Sequence, residues 1–130
     1  MQLMVSTNIR RKDTRNSISK NMERIEKLKG FLAANPNDSF VQHALALEYV
    51  KLGDDAEAKN IFEHLLSKDE NYVGSYYHLG KLLERNGKVA EAVKCYEKGM
   101  LKAKEVGDNH AYNELRGAYE EAPCPPEGET

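Results

Sequence analysis

The sequence predicts an all-α fold built from repeated antiparallel helix pairs, and three observations predict it. One phrase is written twice, "GDDAEAKNIFEHLL" from Gly53 and "GKVAEAVKCYEKGM" from Gly87, at an offset of 34 residues. The offset extends beyond the phrase, pairing Leu45 with Leu79, Ala58 with Ala92, Glu63 with Glu97 and Lys68 with Lys102. The composition leans helical: 40% hydrophobic and 31% charged without tryptophan, in a chain whose Ala, Leu, Glu and Lys are good helix formers. A period of this length marks units that cannot bury their apolar faces singly and share a core by stacking. At 130 residues there is room for one such domain.

Residues 1–18 carry Arg10, Arg11, Lys12 and Arg15 against Asp13 and no pattern that would fold, so they read as a disordered basic arm. Their positive charges follow the mildly apolar start and no small-residue cleavage site is evident, so no export signal is read. Residues 19–34 place Met22, Ile25, Leu28 and Leu32 on one helical stripe. The offset aligns Leu28 with Phe62 and Leu32 with Leu66, making this the second helix of an incomplete unit. Arg24 occupies the slot of Ala58 and Ala92 there, because no first helix needs to approach it.

Two complete pairs follow, 39–52 with 55–67 and 72–85 with 89–105. Gly53 and Gly87 suit the left-handed residue that ends a helix, and Asp54 can cap the next one. Small residues at 46/80 and 58/92 allow close helix approach, while Tyr49/Leu83 and Phe62/Tyr96 fill the space around it. Residues 109–121 form a lone first helix. Its slots for a partner hold His110, Asn113, Glu114 and Gly117, as a solenoid's terminal cap requires, and Tyr112, Leu115 and Tyr119 are offered to the preceding unit. Pro123, Pro125 and Pro126 end it, leaving a helical domain over 19–121 and a disordered acidic, Pro-rich tail over 122–130.

Tyr76, Leu79, Gly80, Leu83, Ala92 and Tyr96 in the second unit, with Leu45, Ala46, Tyr49, Ala58 and Phe62 in the first, resemble the tetratricopeptide repeat (TPR). Its pattern is an aromatic, Leu-Gly and Tyr in the first helix, then Ala, an aromatic and Pro in the second. Pro36 falls on the closing proline. The departures are Gln42 at the opening aromatic, Leu83 at the tyrosine, and Glu70 and Lys104 at the proline. The resemblance covers residues 39–106 and implies a right-handed superhelical stack of two full units plus flanking N-terminal and C-terminal helices. It further implies that first helices line a concave groove for an extended peptide or a partner helix. Carried over by position, the lining is Phe40, His43, Leu47 and Val50 from the first unit and Tyr77, Lys81, Glu84 and Arg85 from the second, continued by Leu115 and Ala118. The family's basic clamp for acidic chaperone tails is absent, since His43, Leu47, Asp108 and Tyr112 stand where Lys and Asn are needed.

Catalysis has no visible apparatus. His43, His64, His78 and His110 lack metal-ligand spacing, Ser and Cys have no glycine-flanked elbow, and no glycine-rich phosphate loop exists, so neither metal nor cofactor is expected. No apolar run approaches the ~18 residues of a membrane span. Cys95 and Cys124 make no disulfide framework, which points to a reducing cytoplasm. The expected function is that of a protein-interaction module or small adaptor, its partner an unidentified protein or peptide. Two other occupants suit an apolar groove around Phe40, Leu47 and Val50: the N-terminal arm or helix of the same chain, and a second copy in a structural homodimer. Nucleic-acid contact through the basic arm ranks third.

Overall fold

The computed structural model describes residues 19–123, so the expectations for the basic arm, and for the tail from Cys124 onward, lie outside the described residues. Those residues form six α-helices and no strand: α1 (19–34), α2 (Ser39–Leu52), α3 (Asp55–Lys68), α4 (Gly74–Arg85), α5 (Val89–Val106) and α6 (Asn109–Glu121). The all-α expectation therefore holds, with boundaries within two residues of those read from sequence. The largest difference is at α4, which begins at Gly74 rather than 72. The preceding chain is spent in tight turns, Tyr72 N–H to Asp69 O and Ser75 N–H to Tyr72 O, both 3.2 Å.

Glycine ends three helices in one geometry. Gly53, Gly87 and Gly107 have φ of 84°, 79° and 78°, where a side chain would be strained. At each, the following residue reaches back five positions: Asp54 N–H to Tyr49 O (3.0 Å), Lys88 N–H to Leu83 O (2.8 Å), Asp108 N–H to Ala103 O (2.9 Å). The glycine N–H bonds three back in every case, completing the Schellman pattern. Helix entries are less uniform. Asp38, Asp54 and Asp108 each accept a backbone N–H three residues on, from Val41 (3.2 Å), Glu57 (3.3 Å) and Ala111 (3.0 Å). Val73 before α4 and Lys88 before α5 supply no side-chain cap.

The chain divides into two compact units, residues 1–58 and 59–130, the boundary falling inside α3. In the first unit Ile25, Val41, Leu45, Ala46 and Ala58 are buried. Met22, expected on the α1 stripe, is instead 56% exposed, because it lies at the edge of an apolar arc centred on Ile25. Two polar side chains are also buried. Gln42, at the slot of the absent aromatic, donates from Nε2 to Pro36 O (2.7 Å) and so ties the α1–α2 loop to α2. Glu48 accepts from Lys51 at Oε2 (3.2 Å), while Arg24 of α1 lies 3.9 Å from its Oε1.

In the second unit α5 packs against both α4 and α6. Tyr96, Phe62, Leu65 and Leu115 are its largest fully buried side chains. Two glycines set the spacing. A Cβ at Gly80 would fall 2.7 Å from Tyr96 Cδ1, and one at Gly99 would fall 2.6 Å from Tyr76 Cβ and 3.0 Å from Leu115 Cδ1. Bare Cα atoms are what let these helices approach. Ala58 and Ala92, matched by the offset, are both fully buried.

Candidate functional site

The residues expected to line a groove fall in both units. In the first, Phe40 stands at the opening turn of α2 and is 70% exposed, while His43, Leu47 and Val50 are half-buried rather than open. In the second, Tyr77, Lys81, Glu84 and Arg85 share one side of α4 by their helical spacing. Tyr77 is half-buried and the Lys81 ammonium lies 5.8 Å from its ring centroid, within cation–π range. His78 stacks on Phe62 (6.4 Å, 6°) and meets Tyr77 edge-on at 5.4 Å. The Tyr96 hydroxyl, rising from the core, donates to Glu84 Oε2. Burial first, then that carboxylate, push the Tyr96 phenol well above its ordinary pKa, so it stays a donor and holds Glu84 in one orientation. Arg85 is exposed.

Leu115 and Ala118 do not line a groove. They are 1% and 3% exposed, and with Ala111 they form the stripe that α6 buries. These three positions correspond by offset to Tyr77, Lys81 and Glu84 of α4. Apolar side chains in those slots turn that face inward, while His110, Asn113 and Glu114 face solvent. Tyr119, expected against the preceding unit, is exposed for the same reason.

The second unit also holds a concavity that sequence reasoning did not find. A cleft of about 470 Å³ runs between α3 and α5 over α4, with Leu66, Leu79 and Leu83 beneath it, all buried. On the α3 wall Glu63 pairs with Lys59 (3.0 Å), and in the turn after α3 Glu70 pairs with Lys102 of α5 (3.2 Å). The Lys102 hydrogen bond, then its charge and that of Lys98, hold the Glu70 carboxyl below its ordinary pKa. On the α5 wall Lys94 and Lys98, one turn apart, are exposed and hold no ion pair among the described residues. Cys95 lies between them. Its thiol donates to Tyr76 O (3.3 Å), and burial pushes it up to about 12. No signal in the sequence marks this cleft, because Lys94 has Glu91 and Glu97 at pairing distance along the helix and pairs with neither. Among the described residues no group of three His, Cys, Asp or Glu could hold a metal ion, and no helix is long and apolar enough to cross a membrane.

The family model described as tetratricopeptide repeat matches residues 41–72 and 73–100. The solution NMR structure of a tetratricopeptide repeat domain protein from Salinibacter ruber is 38% identical, with a TM-score of 0.65 over 74% of this chain and 93% of that one. The TPR2B domain of yeast Sti1, solved as a complex with pHsp70, is 18% identical with a TM-score of 0.73 over 83% of this chain and 86% of that one, a likeness of fold alone. Human aspartyl/asparaginyl beta-hydroxylase is 31% identical over 65 residues, which are 50% of this chain and 9% of that protein. The chain thus spans less than a tenth of that relative's length.

Proposed function

The chain belongs to the tetratricopeptide repeat family, and on that premise we propose that it is a non-catalytic interaction module, a small adaptor that holds a peptide or partner helix on the outward faces of its first helices. One observation carries the reading: α4 presents a row in which an aromatic face, a cation and an oriented carboxylate stand together at Tyr77, Lys81 and Glu84, none needed to fill the core. Such a row offers stacking area and two signs of charge to one extended segment, which is what specificity without deep burial requires. A short contact of this kind supports micromolar binding, about −8 kcal/mol. The proposed setting is the cytoplasm, since Cys95 and Cys124 make no disulfide framework in the sequence.

Affinity capture from the source cell, run with the wild-type protein and with a Tyr77→Ala/Lys81→Glu variant, tests this. Proteins recovered by the first and lost with the second are expected; identical recovery by both overturns it. The exposure of Phe40 favours a second reading, self-association through α2. A light-scattering mass of a dimer at low micromolar concentration, reduced to a monomer by Phe40→Glu, would establish that reading in place of the first.

A further inference from the structure

We propose that the α3–α5 cleft is a second docking site, for an acidic amphipathic peptide segment that seats a large apolar side chain over Leu66, Leu79 and Leu83 and sets carboxylates on Lys94 and Lys98. The volume, about 470 Å³, lies within the roughly 300–1,000 Å³ of pockets that hold small ligands, and it is ample for an anchoring side chain. The sign of the partner follows from which charges are already answered. Glu63 of α3 and Glu70 in the turn after it are engaged by Lys59 and Lys102. Glu91 lies in the first turn of α5, where the helix dipole stabilises a carboxylate. Among the described residues Lys94 and Lys98 hold no ion pair, the Lys98 charge reaching Glu70 only at longer range, so two lysines stand against the single unpaired carboxylate of Glu91 and the unpaired charge at the rim is net positive.

The chain's own C-terminal residues 122–130 contain Glu127 and Glu129 but no large aliphatic or aromatic side chain, so they cannot supply the anchor. The stretch at residues 10–15, RRKDTR, has the wrong sign, and the proposed occupant is a separate polypeptide of acidic, amphipathic chemistry. The site uses no residue from the outward face of α4 and stands or falls apart from the groove reading.

The probe is a fluorescein-labelled, C-terminally amidated peptide whose leucines recur every three or four residues between glutamates, followed by anisotropy. Amidation removes any capture of a terminal carboxylate. Saturable binding is expected, weakened about tenfold or more by Lys94→Glu/Lys98→Glu, weakened also by Ser67→Trp, which fills the cleft from the exposed α3 rim, and unchanged by Tyr77→Ala/Lys81→Glu. Circular dichroism establishes that each variant is folded. The peptide with lysine in place of glutamate is expected to bind at least tenfold more weakly, and removal of residues 124–130 is expected to change nothing. Absence of saturable binding, indifference to the Lys94/Lys98 reversal, equal affinity for the basic peptide, or loss confined to the Tyr77/Lys81 variant would each overturn the proposal.

Discussion

Gly80 of α4 lies against the ring of Tyr96 in α5, so close that a Cβ at position 80 would come within 2.7 Å of ring carbons Cδ1 and Cζ. The ring is fully buried and its hydroxyl is fixed on Glu84, so it has nowhere to yield. Alanine would add about 1 kcal/mol of helix propensity, and overpacking a rigid ring costs about 1–3 kcal/mol, so Gly80→Ala should lower stability. Gly99→Ala should cost more, since its Cβ would meet Tyr76 Cβ, an atom tied to the backbone of α4. At Gly30 and Gly117 nothing lies within 4 Å, and the same substitution should stabilise by up to about 1 kcal/mol. Urea midpoints for the four variants check the set; a stabilised Gly80→Ala would show that the helices separate freely.

How far the sequence announces these relationships depends on whether a slot is filled twice. Gly53 and Gly87 are legible as helix exits, and Ala58 and Ala92 as close contacts, because backbone geometry imposes the same residue at both registers. Gly107 makes the same exit, yet its slot in the earlier unit holds Val73, so nothing marks it. Gly99 likewise corresponds to Leu65, and its close approach to Tyr76 is a property of this unit alone. Leu115 shows the limit from the other side: a slot identifies a position on a helix, but the side chains present decide which way the terminal helix turns. The cleft is illegible for a further reason. Its charge balance depends on which lysines reach which carboxylates across helices, as Lys102 reaches Glu70, and linear spacing does not contain that.

Lys88 stands where Asp54 and Asp108 stand before other helices, and it can neither accept a backbone N–H nor complement the positive end of the α5 dipole. Lys88→Asp should supply both, and Glu91 at the third helical position can reach back to complete a capping box. A gain of about 1 kcal/mol, or a Tm higher by roughly 3–6 °C for a domain of this size, is expected in a thermal melt. An unchanged Tm would mean that the α5 entry is already satisfied by water.

His78 makes stability pH-dependent. Its imidazole packs between the rings of Phe62 and Tyr77, and burial lowers its pKa from 6.5, with the Glu114 charge opposing in part. The folded state therefore binds this proton less readily than the unfolded chain does. The associated stability is fully present above pH 6.5 and is lost as pH falls through the lowered folded value. Melts from pH 7.5 to 5 should show a decline that His78→Gln flattens, and an NMR titration of the ring should give a midpoint below 6.5. Glu70 acts in a separate window: its pKa is lowered from 4.5, so the Lys102 pairing is lost only at more acid pH. An imidazole midpoint above 6.5 would show that Glu114, not burial, governs the ring.

Cys95 should behave as an inert thiol despite lining an open cleft. Burial pushes it up to about 12, the Lys98 ammonium pulls the other way, and Glu63 adds to the upward shift. Relative to a free cysteine the thiolate population falls about 1,000-fold, while the greater basicity of the thiolate returns part of the rate, leaving a slowing of roughly 30- to 60-fold. In a Cys124→Ser protein, where Cys95 is the sole thiol, reaction with Ellman's reagent at pH 8 should be slower by about that factor than in denaturing urea. Lys98→Glu should slow it further by removing the one nearby charge that favours the thiolate. A fast reaction in the folded protein would mean that the Cys95–Tyr76 hydrogen bond opens readily, and with it the wall of α5 that frames the cleft.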